Sequence, residues 1–497
     1  MSPAILPRAL MHRAAPKLFR MPSRSLYTTN RTKQQVSAVV ASLQPDKPTS
    51  SRSIPDEDKI VAVDMHQTIN DLATNIDTWN RKLKSLLDKD IMRHQWLAVS
   101  TPRDPPINPE SHRANVVAVH VEDHTLSCNV GGALTKIPNI WLRDNCQCDK
   151  CVHAATRQRL LDTFDIPPEI AIESHAVNGK EVHITWNDGH QSSYSLDFFS
   201  QACSDPLHRA VARNGLASAE CWNSAIAEEP PVVTYPMVIG QDNGLKDLLQ
   251  KIRTYGFCYI DETPATPNAT QEVLERISFI RPTHYGGFYD FTADLASADT
   301  AYTNIPLGAH TDTTYFSDPA GLQAFHLLSH TDGSGGASLL VDGFSIARQL
   351  RQQDPEAYRT LSTTYVYAHA SGNEGISIQP YKAFPVLEHD PATGFLLRVR
   401  WNTSDRARIE APIKDVGTWY DAARKWDQLV KKRENEYWEQ LVPGRVLVFD
   451  NWRVMHGRSG FTGKRRICGG YINRDDWISK YKMLRDAEGT LERLGTD

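Results

Sequence analysis

The sequence predicts a mainly β protein with flanking helices: a jelly roll over residues 232–490 behind a small β-rich domain over 112–210. Three observations predict it. Short apolar strands recur at spaced intervals with few helices between them, as in a sandwich or double-sheet jelly roll. Two linkers bound the β regions, one at Pro102, Pro105, Pro106 and Pro109, the other at Glu228-Glu229-Pro230-Pro231. The composition is globular: 497 residues, 40% hydrophobic and 23% charged. That excludes a collagen, a coiled coil and a fully disordered chain. No continuous apolar run is long enough to span a membrane. Lys plus Arg is 55 against 59 Asp plus Glu, a net charge of −4, so there is no chain-wide basic surface for nucleic acid.

The first 33 residues are basic and acid-free. Arg8, Arg13, Lys17, Arg20, Arg24, Arg31 and Lys33 precede the first acidic residue, Asp46, and Ile5, Leu6, Leu10, Ala14, Leu18 and Phe19 share a helical face. This predicts a mitochondrial transit peptide over 1–33 and a matrix location. Residues 34–110 read as linker, with a helix over 67–98 from the period of Leu72, Ile76, Trp79, Leu83 and Leu86. In the small domain, strands are expected at 115–121, in the stretch before Trp141, and at 181–186. In the large domain, strands are expected at 321–328, 337–341, 445–450 and 466–472, and helices at 245–255 and 344–353.

Chemistry enters at His310-Thr311-Asp312. Residues i and i+2 of a strand or its exit point to one face, so an imidazole and a carboxylate reach one metal ion. His456, past the apolar strand 446–450, closes a set of two His and one carboxylate. That set occupies three neighbouring octahedral positions and leaves three for a bidentate cosubstrate and O2, the pattern of non-haem Fe(II) oxygenases. Arg465, nine residues on, supplies the planar cation that a cosubstrate's second carboxylate needs. Strand parity puts Arg465, Ile467, Gly469 and Tyr471 on one face and Arg466 on the other.

With these residues stand three long motifs: HTDTTYF at 310–316, GGASLLVDGF at 335–344 and PGRVLVFDNWRVMHGRSGFTGKRRICGGY at 443–471. Together they resemble the family of γ-butyrobetaine and trimethyllysine dioxygenases over roughly 112–490. HTDTTYF, and the run ending in Tyr471 with Arg474-Asp475-Asp476 after it, resemble the trimethyllysine branch. The resemblance implies a double-stranded β-helix, a distorted jelly roll, behind a small N-terminal domain. It implies Fe(II) on His310, Asp312 and His456, 2-oxoglutarate on Arg465 with Ser338 assisting, ascorbate as reductant, and a homodimer.

Cys146, Cys148 and Cys151 form C-x-C-x-x-C. Three thiolates wrap one tetrahedral ion and need a fourth ligand, for which His153 and His190 are the candidates by spacing. The resemblance points to His190 and hence to a closed, structural Zn(II) site. The other cysteines are scattered, the usage of a reducing compartment. A quaternary ammonium donates no hydrogen bonds and is held by aromatic faces. Tyr285, Tyr289, Tyr302 and Tyr471 match the family's aromatic cage, with Tyr289 standing where relatives commonly carry Trp.

The expected reaction is Fe(II)- and 2-oxoglutarate-dependent hydroxylation of Nε-trimethyllysine at C3 by O2, the first step of carnitine biosynthesis. The alternatives are γ-butyrobetaine hydroxylation to carnitine and a non-enzymatic jelly-roll zinc-binding module.

Overall fold

The structure, a computed structural model, describes residues 116–122, 124–130, 133–203, 219–292, 303–391 and 394–486. The expected transit segment, the linker with its 67–98 helix, and Tyr302 lie outside these residues.

The small domain holds two three-stranded antiparallel sheets. One is β1 (Val116–Glu122), β2 (Thr125–Val130) and β3 (Ala133–Pro138); the other is β4 (Ile172–Asn178), β5 (Glu181–Trp186) and β6 (Gln191–Ser195). On β5 the alternation of Val182, Ile184 and Trp186 with exposed or half-buried neighbours puts one face into a core with Leu126, Ile137 and Phe199. The stretch before Trp141 is β3, followed by a short helix, Asn139–Asp144, that delivers the chain to Cys146.

The large domain is two facing sheets. The six-stranded one runs β7 (Val232–Thr234), β8 (Phe257–Asp261), β18 (Val446–Asp450), β11 (Leu322–Thr331), β20 (Lys464–Ile472) and β9 (Tyr289–Thr292). The four-stranded one runs β10 (Leu307–His310), β19 (Val454–Arg458), β12 (Ser338–Asp342) and β17 (Tyr437–Glu439). Two short ladders, β13 (Tyr365–Val366) with β14 (Phe384–Pro385) and β15 (Leu387–His389) with β16 (Leu396–Val399), flank them. Every pair is antiparallel except β7 with β8.

Period-2 alternation assigns each strand's faces. Leu447 and Phe449 point inward to meet Leu340 and Val454 of the opposite sheet, while Val446 and Val448 point outward. Helices Asp242–Tyr255, Pro267–Ile277 and Arg474–Asp486 lie on the β18 outer face. Helices Gly343–Gln353, Pro355–Thr363 and Val416–Val430 cover Leu339, Val341 and Met455 on the other sheet. The sequence reading of few helices undercounts these, because two-sided burial of the sheets requires a helical layer on each outer face.

His456 differs from expectation in its element. It lies within β19, not merely beyond β18, because the turn at 451–453 reverses the chain after Asp450 and a new fully buried strand begins at Val454.

Candidate active site

His310 is the last residue of β10 and pairs directly with His456 of β19. The two rings lie 4.3 Å apart between centroids. Asp312 sits two residues past His310, with Oδ1 3.2 Å from His310 Nε2 and Oδ2 3.8 Å from His456 Nε2. Nδ1–H of His310 donates to the Gly308 carbonyl at 2.8 Å, which leaves Nε2 as the lone-pair nitrogen. Ligand atoms of all three residues lie within 4.8 Å of one another.

The loop after His310 is held from several sides. Asn451 Oδ1 accepts from the Asp312 backbone N–H at 2.8 Å, and its Nδ2 donates to the Asp312 carbonyl at 3.0 Å. Thr313 adopts the left-handed region (φ 58°), a conformation that a β-branched residue keeps only when its surroundings enforce it. The Thr313 hydroxyl accepts from the Ala320 N–H at 2.8 Å and its carbonyl from the Phe316 N–H at 3.0 Å, and Arg400 holds the following turn by donating to the carbonyls of Thr314, Phe316 and Ser317. These contacts account for the HTDTTYF run as a structural unit.

Electrostatics suit a cation. Burial opposes charging of Asp312, but the two imidazoles and the Tyr471 hydroxyl hold its carboxyl below the usual range. Burial, then the neighbouring His310, pushes His456 down to about 3, so it stays neutral. Burial lowers His310, but the Asp312 carboxylate and the Gly308 carbonyl outweigh it and raise its pKa, so this imidazole holds a proton that a metal ion would displace. Two imidazoles and an ionised carboxylate are then the donor set that fits Fe(II).

The three side chains line a cavity of about 340 Å³, a size suited to a small molecule. Arg465 and Ser338 line the same cavity. Arg465 lies on β20 with Ile467 and Tyr471 on the cavity face, whereas Arg466 turns outward and pairs with Asp290 (Nε to Oδ1 2.8 Å). Burial and the charge of Arg458 push the Arg465 guanidinium down to about 10, so it remains cationic at neutral pH. Its Nε finds no hydrogen-bond partner among the described residues. A buried cation of this kind is matched to an anionic ligand. Gly336 (φ 71°) makes room for it: a Cβ there would lie 3.2 Å from Arg465 Nε.

Tyr285, Tyr289 and Tyr471 also line the cavity. Tyr289 and Tyr471 meet edge to face at 5.9 Å, and the Tyr289 hydroxyl donates to the Ala324 carbonyl at 2.7 Å. Gly469 permits this approach, since a Cβ there would lie 2.8 Å from that hydroxyl. Sequence reasoning missed Gln323, Tyr315 and Arg458 on the cavity wall and Asn451 behind it, and it gave Arg400, in a stretch that matches the family near the substrate, no definite role. Gln323 carried one signal, a lone amide in the apolar run Leu322–Phe325. A larger groove of about 1130 Å³ past Trp222 and Arg348 brings together no comparable ligand set.

In the small domain the Sγ atoms of Cys146, Cys148 and Cys151 lie 3.3, 3.5 and 3.5 Å from His190 Nε2. These are the edge lengths of a tetrahedron around one ion with Zn–S of about 2.3 Å and Zn–N of about 2.0 Å. Burial pushes the Cys151 thiol up to about 12, so thiolates here call for a cation. Arg143 donates to Cys151 Sγ and to Asp188, and Asp188 accepts from the His190 N–H. His153 points elsewhere, accepting from the Thr156 N–H at 3.1 Å.

Residues 223–471 match the taurine catabolism dioxygenase TauD/TfdA family, and residues 117–200 match the N-terminal region of γ-butyrobetaine hydroxylase-like proteins. The chain is 46% identical over 404 residues to trimethyllysine dioxygenase of Neurospora crassa, covering 74% of this chain and 85% of that one. It is 41% identical to trimethyllysine dioxygenase of Meyerozyma guilliermondii (71% and 92% covered). It is 37% identical to the mitochondrial trimethyllysine dioxygenase of Homo sapiens (73% and 86% covered). With this likeness and the jelly-roll architecture both in place, the chain belongs to the trimethyllysine dioxygenase family of Fe(II)- and 2-oxoglutarate-dependent oxygenases.

Proposed function

We propose that this enzyme hydroxylates Nε-trimethyllysine at C3, the first step of carnitine biosynthesis, with His310, Asp312 and His456 holding Fe(II). The observation that carries the reading is the buried Arg465 cation lining the same cavity as these three residues. Bound Fe(II) and 2-oxoglutarate supply the oxidation, in which O2 and 2-oxoglutarate become succinate, CO2 and a new C–OH on the substrate.

The chain's own side chains do the placing. Arg465 binds the far carboxylate of 2-oxoglutarate, with the Ser338 hydroxyl beside it. Tyr285, Tyr289, Tyr302 and Tyr471 surround the trimethylammonium group, which their faces attract and their apolar edges desolvate. Cys146, Cys148, Cys151 and His190 hold a structural Zn(II) with no open position. Ascorbate keeps the iron reduced, and the basic segment 1–33 directs the chain to the mitochondrial matrix, where it acts as a homodimer.

The deciding experiment measures succinate release by the purified enzyme with Nε-trimethyllysine and with γ-butyrobetaine, each with Fe(II), 2-oxoglutarate and ascorbate. Turnover of trimethyllysine is expected. Turnover of γ-butyrobetaine alone would replace the substrate assignment.

A further inference from the structure

Tyr471 makes a contact that an aromatic wall does not need. Its hydroxyl donates to Asp312 Oδ2 at 2.8 Å. Gln323 Nε2 donates to the same oxygen, also at 2.8 Å, and reaches the Tyr471 hydroxyl at 3.5 Å. The two residues are direct cross-strand partners on β11 and β20, so the register of the central sheet brings both donors to one point. Both are buried, Gln323 with 2% exposure.

A carboxylate oxygen has two lone-pair sites, and two donors fill those of Oδ2. Oδ1, 3.2 Å from His310 Nε2, is left for another partner. Because the carboxylate only accepts, the Gln323 amide must present its N–H side. Its Oε1 then has no partner among the described residues. A buried acceptor left unpaired is costly, and an apolar side chain at this strand position would avoid that cost. Packing alone therefore does not account for the amide.

We propose that Gln323 and the Tyr471 hydroxyl form a two-donor clamp that fixes the Asp312 carboxylate, so that it binds the metal through Oδ1 alone. Both are positioning residues acting through Asp312. The inference rests on the metal reading of His310, Asp312 and His456.

The test titrates metal-free enzyme with Mn(II), and separately records the visible absorption of the Co(II) form, for wild type, Tyr471→Phe, Gln323→Met and the double variant. Loss of either donor should weaken Mn(II) binding about tenfold, the low end for a hydrogen-bond partner behind a ligand. The double variant should bind more weakly still. The Co(II) bands should shift as Oδ2 becomes available to the ion. Tyr471→Phe removes one oxygen and keeps the packing, so it carries the test where Gln323→Met does not fold. Unchanged Mn(II) affinity and an unchanged Co(II) spectrum in the folded variants would overturn the clamp. Wild-type Mn(II) binding that survives Asp312→Ala would instead overturn the metal reading beneath it.

Discussion

Arg465 shows how much one side chain decides. It is buried beside a second guanidinium, Arg458, and over the Phe461 ring, an arrangement unfavourable until an anion arrives. Arg465→Ala should raise the 2-oxoglutarate concentration needed for half-maximal rate by about 10- to 100-fold, the worth of a charge-assisted bidentate pair. The Fe(II) requirement should stay as it was. Steady-state succinate assays over both cosubstrates check this. An unaltered 2-oxoglutarate requirement would shift the anchor to Arg458, because Arg466 is engaged by Asp290 on the opposite face. Strand parity alone separates Arg465 from Arg466, which is why this distinction was legible in the sequence. The donors on Asp312 were not. Gln323 is 148 positions from Tyr471, and only the pairing of β11 with β20 makes them neighbours.

At the scale of elements, the site is the meeting of three strands and one glycine turn. β10 and β19 bring the histidines face to face, and β20 brings the arginine. The Gly335-Gly336 turn before β12 packs against Arg465, with Gly336 in the left-handed region. Gly336→Ala therefore adds about 1 kcal/mol of backbone strain and pushes the guanidinium aside. A several-fold higher 2-oxoglutarate requirement is expected, with metal affinity and fold intact. Isothermal titration with 2-oxoglutarate in the presence of Mn(II) measures it, and binding equal to wild type would contradict the role of this turn. The apolar strands were readable because they are short, continuous and fully buried, as Val446–Asp450 is. The short strand carrying His456 was less readable. Its Val454 and Met455 give too brief an apolar run, and its identity as a strand depends on β10 and β12 accepting it between them.

Over the whole molecule, stability is divided among separate cores. The small domain has its own core around Leu126, Ile184 and Trp186, distinct from those of the jelly roll. If Cys146, Cys148, Cys151 and His190 hold zinc as proposed, a chelator should lower the melting transition of the small domain by more than about 10 °C, since a structural zinc contributes several kcal/mol to folding. The jelly-roll transition should move little. Differential scanning calorimetry with and without chelator checks this, and a single transition unmoved by metal removal would argue against a structural ion at Cys146, Cys148, Cys151 and His190. Acid should act on the jelly roll through His326. This fully buried residue on β11 accepts from the Gly444 N–H and pairs with the Thr270 hydroxyl, and burial pushes its pKa down to about 4. The unfolded chain takes up that proton near pH 6.5, whereas the folded one refuses it until about pH 4. The unfolded state thus binds more protons across this window. Stability falls as pH drops from about 6.5 to about 4, by about 3 kcal/mol from this group. Urea unfolding at pH 7.5 and 4.5 should show a smaller loss for His326→Gln than for wild type, and equal losses would rule His326 out as a source.

Taken by itself, the sequence determined the strand-rich organisation, the two histidines and one aspartate of the proposed metal site with their order, and the face of β20 that carries Arg465. All of these are encoded by local periodicity and short spacing, which a linear chain displays directly. The tertiary structure decided which distant groups share one point: the clamp on Asp312, Asn451 and Arg400 behind the HTDTTYF loop, and, of the two histidines that spacing left open, His190 beside the three cysteines as the resemblance implied. Those contacts depend on strand register and on which sheet faces which. Both are settled by burying the apolar faces against one another, a long-range condition that no single stretch of residues contains.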